Sequence, residues 1–555
     1  MRYQAHRVIV MLLCLCPFVT HAQSMDEYRQ QLLSKYNNFV NKAKEDYRAY
    51  RDRVNAEYAD FMRRAWTREE AQPAKPLPKR PEPPQPVVRK PSDIPQFDAI
   101  PFGEVKDLKK PDIPKPQPVV PIDELEALVI TAPDNNLNDN SNDNEKPQEE
   151  ARPKDEKPKD EAPKDERLKD ERLKDEKPRD KKPKEQVPPV TKPREPKAAG
   201  FSFQWCRQTW NVPLEQQHRF RLKSVSESDV ADAWQVLSGA KYAGVVAACL
   251  KIRDKYQLPD WGYLRFLEAM SDAFMPGQQN EARLLEMFIL TQSGYRVRIA
   301  RCDGRLFLLV PSTGNIYEYS YIKFGGQQYY VTDKESRSGS FYVMERDFPR
   351  AQPFVWQMDN LPSLTSEAKT RELQAQRFPD VRVTVETSRS LVSLLNDYPR
   401  CGDWDSYAQA SLSKQAKEGL YPALRQYIEG KNQAEAVEIL LDFVQSALDY
   451  KTDDQQFGEE RPLFGDETLY YPFCDCEDRS ILFSILVREL LGLKVVLLHY
   501  PEHLATAVCI GDDVKGDYVM LDGRRYVVCD PTFIGGHVGE AMPSYKKTKA
   551  TIIKL

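Results

Sequence analysis

A long stretch in the first half of the chain, residues 67–197, lacks the composition to form a hydrophobic core. Proline is dense from 72 to 121, and a five-residue unit of the type Pro-Lys-Asp-Glu-Lys recurs between 153 and 187. Proline on this period prevents a continuous helix, and alternating charges leave little apolar surface to bury. We therefore predict that 67–197 is a mostly disordered, extended linker between a short N-terminal part and a larger C-terminal part.

The first 22 residues have the pattern of a secretory signal peptide. Arg2 and Arg7 lead into the apolar run 8–18, and small residues before Gln23 suit a cleavage site. The run is too short to span a bilayer, which takes about 20 residues. The sequence therefore predicts an exported protein without an integral membrane segment, and the periplasm of a Gram-negative cell is its expected location.

Residues 25–66 have the spacing of an amphipathic helix. Apolar residues recur in steps of three and four, with charged residues on the other faces. The stripe consists of Leu33, Tyr36, Val40, Ala43, Tyr47, Tyr50 and Val54, followed after one slip by Tyr58 and Phe61. One helix cannot bury such a stripe alone, so a coiled coil or another partner is expected. The partner would be a second copy of the chain, an envelope protein or the C-terminal part of this chain.

From about Ala198 onward the composition becomes that of globular protein, with enough residues for two domains. We predict a first domain over 198–345, a connector over 346–430 with a strand at 381–386, and a second domain over 431–555. The formal net charge of the whole chain is −4, so no strong attraction to nucleic acid is expected.

The second domain contains the one arrangement of residues for which we infer chemistry. Cys476 follows Asp475, a good N-cap, and lies just before the apolar run 481–491. At a helix start, backbone N–H groups and the helix dipole favour a thiolate over a thiol. His503 and Asp530 follow at the ends of two predicted strands. Cysteine, histidine and aspartate are typical of a nucleophile, its general base and the carboxylate that orients the base.

The order of the strands decides whether His503 and Asp530 can meet. They come together only if strand 525–530 lies antiparallel beside strand 504–510. A simple meander through 517–522 would leave the two residues at opposite ends of the sheet. The sequence does not choose between these orders.

Other histidines and cysteines offer competing interpretations. His499 lies in a predicted strand and His537 in a glycine loop, so we prefer His503 as the base. Cys476 as an inert buried cysteine is the plainer alternative to a nucleophile. A zinc site would require a Cys-x-Cys start without the usual two-to-four residue spacer, and we predict no metal and no cofactor. Its four ligands would be Cys474, Cys476, Cys509 and Cys529.

The first domain repeats the pattern of the second without its chemistry. Residues 280–333 and 476–530 both contain an apolar helix that ends at a glycine, a strand-like run and a Gly-x-x-Tyr-x-Val-x-Asp segment. The aligned pairs are Asn280 with Cys476, Arg305 with His503, and Asp333 with Asp530. Asparagine and arginine cannot act as a thiolate and a neutral-pH base. We therefore predict a duplication in which the first copy is a scaffold or binding module.

Residues 430–540 resemble the transglutaminase-like superfamily of papain-type cysteine enzymes. The resemblance rests on Cys476-Glu-Asp-Arg-Ser at a helix start, His503 at a strand start, and Cys-Asp530-Pro-Thr at a strand end. It implies that Cys476 is the nucleophile, His503 the base and Asp530 the orienting carboxylate. In the family a glycine often precedes the cysteine, where this chain has Asp475.

The resemblance also implies an architecture and a function. The fold class would be α+β, with tandem transglutaminase-like domains, each a helix packed on an antiparallel sheet, and the degenerate copy at 200–340. The chain would be an exported acyl transferase or hydrolase that acts on amides of protein or peptidoglycan peptides through a thioester. The alternative is a non-enzymatic envelope scaffold that uses these domains to bind peptides. In both cases residues 25–66 are expected to mediate self-association or contact an envelope partner.

Overall fold

The structure is a computed structural model that describes residues 25–77, 83, 85–89, 200–333, 339–401, 404–511 and 514–555. The predicted signal peptide, 1–22, and most of the predicted linker lie outside these residues. The described part combines helices with antiparallel sheets, which confirms the α+β fold class. Among the described helices, none is long and apolar enough to cross a membrane.

The first region contains a long helix, several shorter helices and a six-stranded sheet. Its helices and N-terminal strands are α1 Met25–Met62, β1 Thr67–Ala71, β2 Phe201–Trp205, β3 Gln208–Val212, α2 Glu227–Leu237, α3 Ala243–Lys255, α4 Asp260–Phe274 and α5 Gln279–Gln292. Its remaining strands are β4 Arg298–Cys302, β5 Arg305–Ser312, β6 Tyr321–Phe324, β7 Gln327–Val331 and β8 Gly339–Val343. The sheet order is β1-β8-β4-β5-β7-β6, and every neighbouring pair is antiparallel.

A connecting region follows, built from a hairpin and three helices. Its elements are β9 Ala368–Gln374, β10 Arg382–Ser388, α6 Arg389–Leu395, α7 Trp404–Gln409 and α8 Lys414–Ile428. Strand β10 confirms the strand predicted at 381–386. Helix α8 lies very close to this strand because Gly419 has no side chain: a Cβ there would lie 2.5 Å from the Thr384 carbonyl oxygen.

The second region places one buried helix against a five-stranded sheet. Its elements are α9 Gln433–Ser446, β11 Asp449–Tyr450, α10 Asp453–Phe457, α11 Gly465–Tyr470, β12 Phe473–Cys474, α12 Cys476–Leu491, β13 Val495–His499, β14 Leu504–Val508, β15 Tyr518–Leu521, β16 Arg524–Cys529 and β17 Thr551–Lys554. The sheet order is β15-β16-β14-β13-β17. Helix α12 is buried along most of its length because it packs between this sheet and α7, α9 and α11.

The two sheets repeat one connectivity. Helix α5 leads into β4, β5, β6, β7 and β8, and helix α12 leads into β13, β14, β15, β16 and β17. In each case the second strand of the series pairs with the first and the fourth, and the fifth strand pairs with the first. The first sheet differs by one additional strand, β1, at the edge of β8.

Helix α1 follows the predicted helix over most of 25–66, and the structure identifies a partner for its C-terminal half. Val54, Tyr58 and Met62 are buried in the main core of the protein itself. The Tyr58 ring lies 5.0 Å from the rings of both Trp234 and Phe348. This half of the apolar stripe is thus covered by the chain's own globular part, and the predicted coiled coil is not confirmed.

Strand β1 lies inside the range 67–197, so the linker prediction is wrong for Thr67–Ala71. The strand pairs with β8 from Thr67 opposite Val343 to Ala71 opposite Gly339. Its sequence, Thr-Arg-Glu-Glu-Ala, contains one apolar residue. Backbone hydrogen bonds to the edge strand β8 are therefore what mainly holds β1 in the sheet. Sequence patterning does not detect a strand stabilised in this way.

One continuous core joins the described residues from Val54 to Val538, and these residues belong to one compact unit. Two smaller clusters lie on the opposite faces of the two sheets. The cluster of the first sheet includes Ala71, Phe307 and Phe341, and that of the second includes Tyr526, Met542 and Tyr545.

Candidate active site

Cys476 is the first residue of helix α12, as the sequence predicted. Asp475 precedes it in an extended conformation, and its backbone N–H donates to the Asp478 carboxylate over 3.2 Å. Asp478 also accepts from the backbone N–H of Leu463 over 2.8 Å. Asp478 therefore fixes the start of the helix, and this places the Cys476 thiol at the N-terminal end of the buried helix.

His503 and Asp530 form a hydrogen-bonded pair. Strand β16 lies directly beside β14 and antiparallel to it, with Cys529 opposite Thr506. This is the strand order that brings the two residues to the same end of the sheet. His503 Nε2 lies 2.9 Å from Asp530 Oδ2, and Asp530 Oδ1 accepts from the backbone N–H of Thr532 over 3.0 Å. The carboxylate is thus fixed on both oxygens and orients the imidazole.

The second ring nitrogen of His503 is buried and available. In the described part of the chain, His503 Nδ1 has no hydrogen-bond partner. The imidazole packs against the ring of Tyr545, with centroids 4.9 Å apart. A histidine that binds a carboxylate through Nε2 and keeps Nδ1 free has one nitrogen with which to accept a proton.

The Cys476 thiol makes a different contact from the one its predicted role requires. Its sulfur donates to Glu477 Oε2 over 3.1 Å, so the hydrogen bond from the thiol to His503 is not made. Burial raises the pKa of Cys476 well above its usual range, and the carboxylates of Glu477 and Asp475 add to the effect. The backbone amide of Leu504 acts in the opposite direction.

The raised pKa of Cys476 gives no support to the thiolate expected at this position. A helix N-terminus carries the equivalent of about half a positive charge, which one adjacent carboxylate is enough to cancel. Complete burial, and after it the Glu477 carboxylate, favour the neutral thiol. The charge near the sulfur, and not its place on the helix, decides its protonation.

Four buried carboxyl groups surround the start of helix α12, and three of them could hold a cation. Burial and mutual repulsion raise the pKa of Asp475 and Asp478 well above the usual range and that of Asp453 to about 10. Oxygens of Asp453, Asp475 and Glu477 lie within 4.8 Å of one another, and both carboxylate oxygens of Asp475 are buried without a hydrogen-bond partner among the described residues. Oxygen ligands of this kind suit Ca²⁺ or Mg²⁺.

The competing cysteines and histidines lie in other environments. Among the described residues, no set of cysteine sulfurs forms a close group of metal-ligand atoms, so the zinc alternative gains no support. His499 packs against the ring of Trp404, 4.6 Å between centroids. His537 Nδ1 lies 2.7 Å from Glu438 Oε1 and 2.8 Å from Arg377 Nη1. His503 is thus the histidine that contacts Asp530.

Gln445 is a residue of the site that the sequence analysis did not identify. Its side-chain amide donates to the carbonyl oxygens of Asp530, over 3.0 Å, and Gly536, over 3.1 Å. It lies on helix α9, far from Asp530 in sequence, and follows the helical pattern of an ordinary core position. A pattern within one element carries no sign of such a contact.

The aligned residues of the first region occupy corresponding places but differ in chemistry. Asn280 Oδ1 accepts from the backbone N–H of Leu306 over 2.9 Å. In the second region the equivalent backbone amide, that of Leu504, lies near the Cys476 sulfur. Arg305 Nη2 lies 3.5 Å from Asp333 Oδ2, in the position of the histidine and aspartate pair. An amide and a guanidinium provide neither a nucleophile nor a base.

Comparison with known proteins gives no assignment for this site. No family model matches the chain, and neither a curated protein nor a solved structure matches it. The resemblance to transglutaminase-like enzymes therefore remains a prediction from the residues quoted above.

Proposed function

We propose that the chain is a cysteine-dependent acyl transferase or hydrolase of the transglutaminase-like type, with Cys476 as nucleophile, His503 as base and Asp530 as the orienting carboxylate. The observation that carries the proposal is the buried pair of His503 and Asp530, 2.9 Å apart, with the second imidazole nitrogen unpaired. A buried imidazole nitrogen without a hydrogen-bond partner lowers the stability of the fold, and such groups are found preferentially at functional sites.

The proposed reaction begins with transfer of the thiol proton to His503 Nδ1. The sulfur of Cys476 attacks an amide carbonyl, and backbone N–H groups at the start of α12 stabilise the oxyanion. The tetrahedral intermediate then collapses: the C–N bond breaks, the amine leaves with the proton from His503, and a thioester remains on sulfur. Water or an acceptor amine releases the acyl group, with His503 again as the base.

This reaction requires a change from the resting geometry. The thiol must turn from Glu477 toward His503, and the buried site must open to admit the substrate. Protein or peptidoglycan peptides are the proposed substrates and the Gram-negative periplasm the proposed location. Both proposals rest on the sequence alone.

The rate of alkylation at each cysteine of the full-length protein tests the proposal. Alkylation should proceed from molecules in which the thiol has turned toward His503, so we expect iodoacetamide to modify Cys476 faster than the equally buried Cys474. We expect His503→Ala to abolish this difference, as resolved by mass spectrometry. Circular dichroism establishes that the variant is folded. Equal rates at the two cysteines, unchanged by the histidine substitution, would contradict an activated thiol.

The alternative, a peptide-binding scaffold of the envelope, is favoured by one specific observation. Cys476 is only 2% exposed and its pKa is raised, which describes an inert buried cysteine as well as a latent nucleophile. Cys476→Ala distinguishes the two functions. A scaffold keeps its biological effect when the thiol is removed, and an enzyme loses it while remaining folded.

A further inference from the structure

Strand β1 and the residue after it close the first sheet into a ring. Thr67–Ala71 pairs with β8, and Gln72 bridges to β6 at the other edge of the same sheet. Gln72 N donates to the Tyr321 carbonyl over 2.7 Å, and Tyr321 N donates to the Gln72 carbonyl over 3.2 Å. One extended segment therefore gives backbone partners to both edge strands.

The second sheet has the same connectivity but lacks the strand that corresponds to β1. Its edge strands, β15 and β17, correspond to β6 and β8. Within the described part of the chain, β15 pairs only with β16, and β17 pairs only with β13. The two edges approach each other where Lys554 Nζ lies 2.7 Å from Asp522 Oδ2. We call the opening between these strands the β15–β17 seam.

Apolar side chains line the seam without being fully covered. Val519, Leu521 and Ile552 pack against the cluster inside the second sheet but remain half-buried. In the first sheet, the corresponding cluster is completed by Ala71 of β1. On the other face of β15, Met520 is 56% exposed. The seam thus has both free strand edges and incompletely buried apolar surface.

The charges around the seam are mainly positive. Arg524, Lys549 and Lys554 are exposed at or beside the two strands, and Asp522 is the carboxylate that lies among them. The strand that fills the equivalent place in the first sheet carries Glu69 and Glu70 against one basic residue, Arg68, and is acidic by one net charge. An acidic strand therefore complements the second sheet in charge as well as in hydrogen bonding.

We propose that the β15–β17 seam binds an extended acidic segment of a partner polypeptide, which adds to the second sheet as β1 adds to the first. The bound segment donates and accepts main-chain hydrogen bonds at both edges and directs a small apolar side chain toward Val519 and Ile552. This inference does not depend on the proposed catalysis, because it uses the opposite face of the sheet from helix α12.

A peptide with the sequence of 67–74 and blocked termini is the probe for this site, because without Lys75 it carries one net negative charge. In the full-length protein the chain's own β1 already occupies the first sheet, so of the two related sheets in the described residues we expect the peptide in trans to bind the second. We expect saturable binding by fluorescence anisotropy, with a Kd on the order of 100 µM. Hydrogen exchange should slow in Tyr518–Leu521 and Thr551–Lys554 when the peptide is bound.

Charge variants make the test specific. Arg524→Glu should weaken binding at least fivefold, whereas Lys323→Glu, on the closed edge strand β6, should leave it unchanged. A peptide with Glu69→Lys and Glu70→Lys should bind at least fivefold more weakly to the wild type. Both substituted residues of the protein are exposed, so folding should be retained.

Three outcomes would overturn the inference. One is no saturable binding up to about 1 mM. Another is slowed exchange in strands other than β15 and β17. The third is a dimer, seen by sedimentation, that the peptide dissociates, since this would identify the occupant as β1 of a second copy and not a partner polypeptide.

Discussion

Glu477 determines the state of the candidate nucleophile. Its carboxylate accepts the thiol proton of Cys476 in a hydrogen bond, while the imidazole nitrogen that should accept this proton has no partner among the described residues. The resting site is therefore assembled at His503 and Asp530 but not connected to the sulfur. A linked triad requires the thiol to turn from Glu477 to the free nitrogen of His503.

Removal of the charge at Glu477 should activate the thiol. Glu477→Gln takes away the largest contribution after burial to the raised pKa of Cys476, so more thiolate forms at a given pH. We expect alkylation of Cys476 at pH 8 to become about tenfold faster, the effect of one pKa unit on a mostly protonated thiol. Glu418→Gln, an exposed change on α8, is the control. An unchanged or slower rate would show that Glu477 does not keep the Cys476 thiol protonated.

Asp453 should limit stability at neutral and alkaline pH. Its pKa is raised to about 10, from the ordinary 3.8, by burial and by repulsion from Asp478 and Glu477. When the pKa of a carboxyl group is higher in the folded than in the unfolded state, the protonated group stabilises the folded state. This stabilisation is complete at pH values below the unfolded-state pKa and is lost as the pH rises toward the folded-state pKa. Asp453→Asn removes this loss.

We therefore expect Asp453→Asn to raise the free energy of unfolding by roughly 2 kcal/mol at pH 8 in chelator-containing buffer, and by much less at pH 4. Urea denaturation at the two pH values measures the difference. Asp454→Asn, at the adjacent exposed position, should have little effect at either pH. Equal changes at pH 4 and pH 8 would argue against ionisation as the cause.

At the scale of elements, two N-terminal segments belong to the globular fold although the sequence separates them from it. Helix α1 contributes Val54, Tyr58 and Met62 to the core, and β1 closes the first sheet. The apolar stripe of α1 predicted the need for a partner correctly but not its identity. Patterning within a helix records that a face is buried, and only the packed structure tells which surface covers it.

The contact of α1 with the core predicts a large cost for Tyr58→Ala. Tyr58 is 1% exposed, and its hydroxyl donates to the Arg346 carbonyl over 3.2 Å. Loss of the buried ring should lower the free energy of unfolding by roughly 3 kcal/mol, and Tyr58→Phe by about 1 kcal/mol, in urea denaturation. Phe39→Ala, on the same helix but at a side chain that is 61% exposed, should be nearly neutral. Similar losses for Tyr58→Ala and Phe39→Ala would mean that α1 does not dock as described.

At the scale of the whole molecule, two regions share one strand connectivity but differ in the residues at corresponding positions. Both regions place a helix before the same succession of strands, and both keep a carboxylate at the end of the fourth strand, at Asp333 and Asp530. In the second region a histidine contacts this carboxylate, the aligned helix start is a cysteine, and the sheet has an open seam. In the first region an arginine takes the place of the histidine, an asparagine that of the cysteine, and β1 closes the sheet. We infer that the first copy supports the second by packing, because one core extends through both.

A shared core predicts cooperative unfolding of the two copies. We expect one transition in differential scanning calorimetry, with calorimetric and van't Hoff enthalpies in agreement, and not two. Trp234→Ala, in the first region, should also lower the temperature at which the buried Cys529 of the second region becomes open to alkylation. Two separate transitions, or an unaffected Cys529, would show that the copies fold independently.

The sequence by itself determined the local features of this protein. The start of α12 at Cys476, the end of that helix at Gly492 and the strand at β10 follow from caps, turn residues and periodicity within a few residues. The alignment of 280–333 with 476–530 also came from residue types alone, and the two sheets share one connectivity.

Only the tertiary structure decided the features that depend on residues distant in sequence. It placed β16 beside β14, so that His503 meets Asp530, and it brought Asp453 to the start of α12. It also recruited the polar strand β1, which has almost no apolar pattern. Local rules act over a few residues, whereas strand order, burial and the charge around a thiol arise from chain segments that become neighbours only on folding.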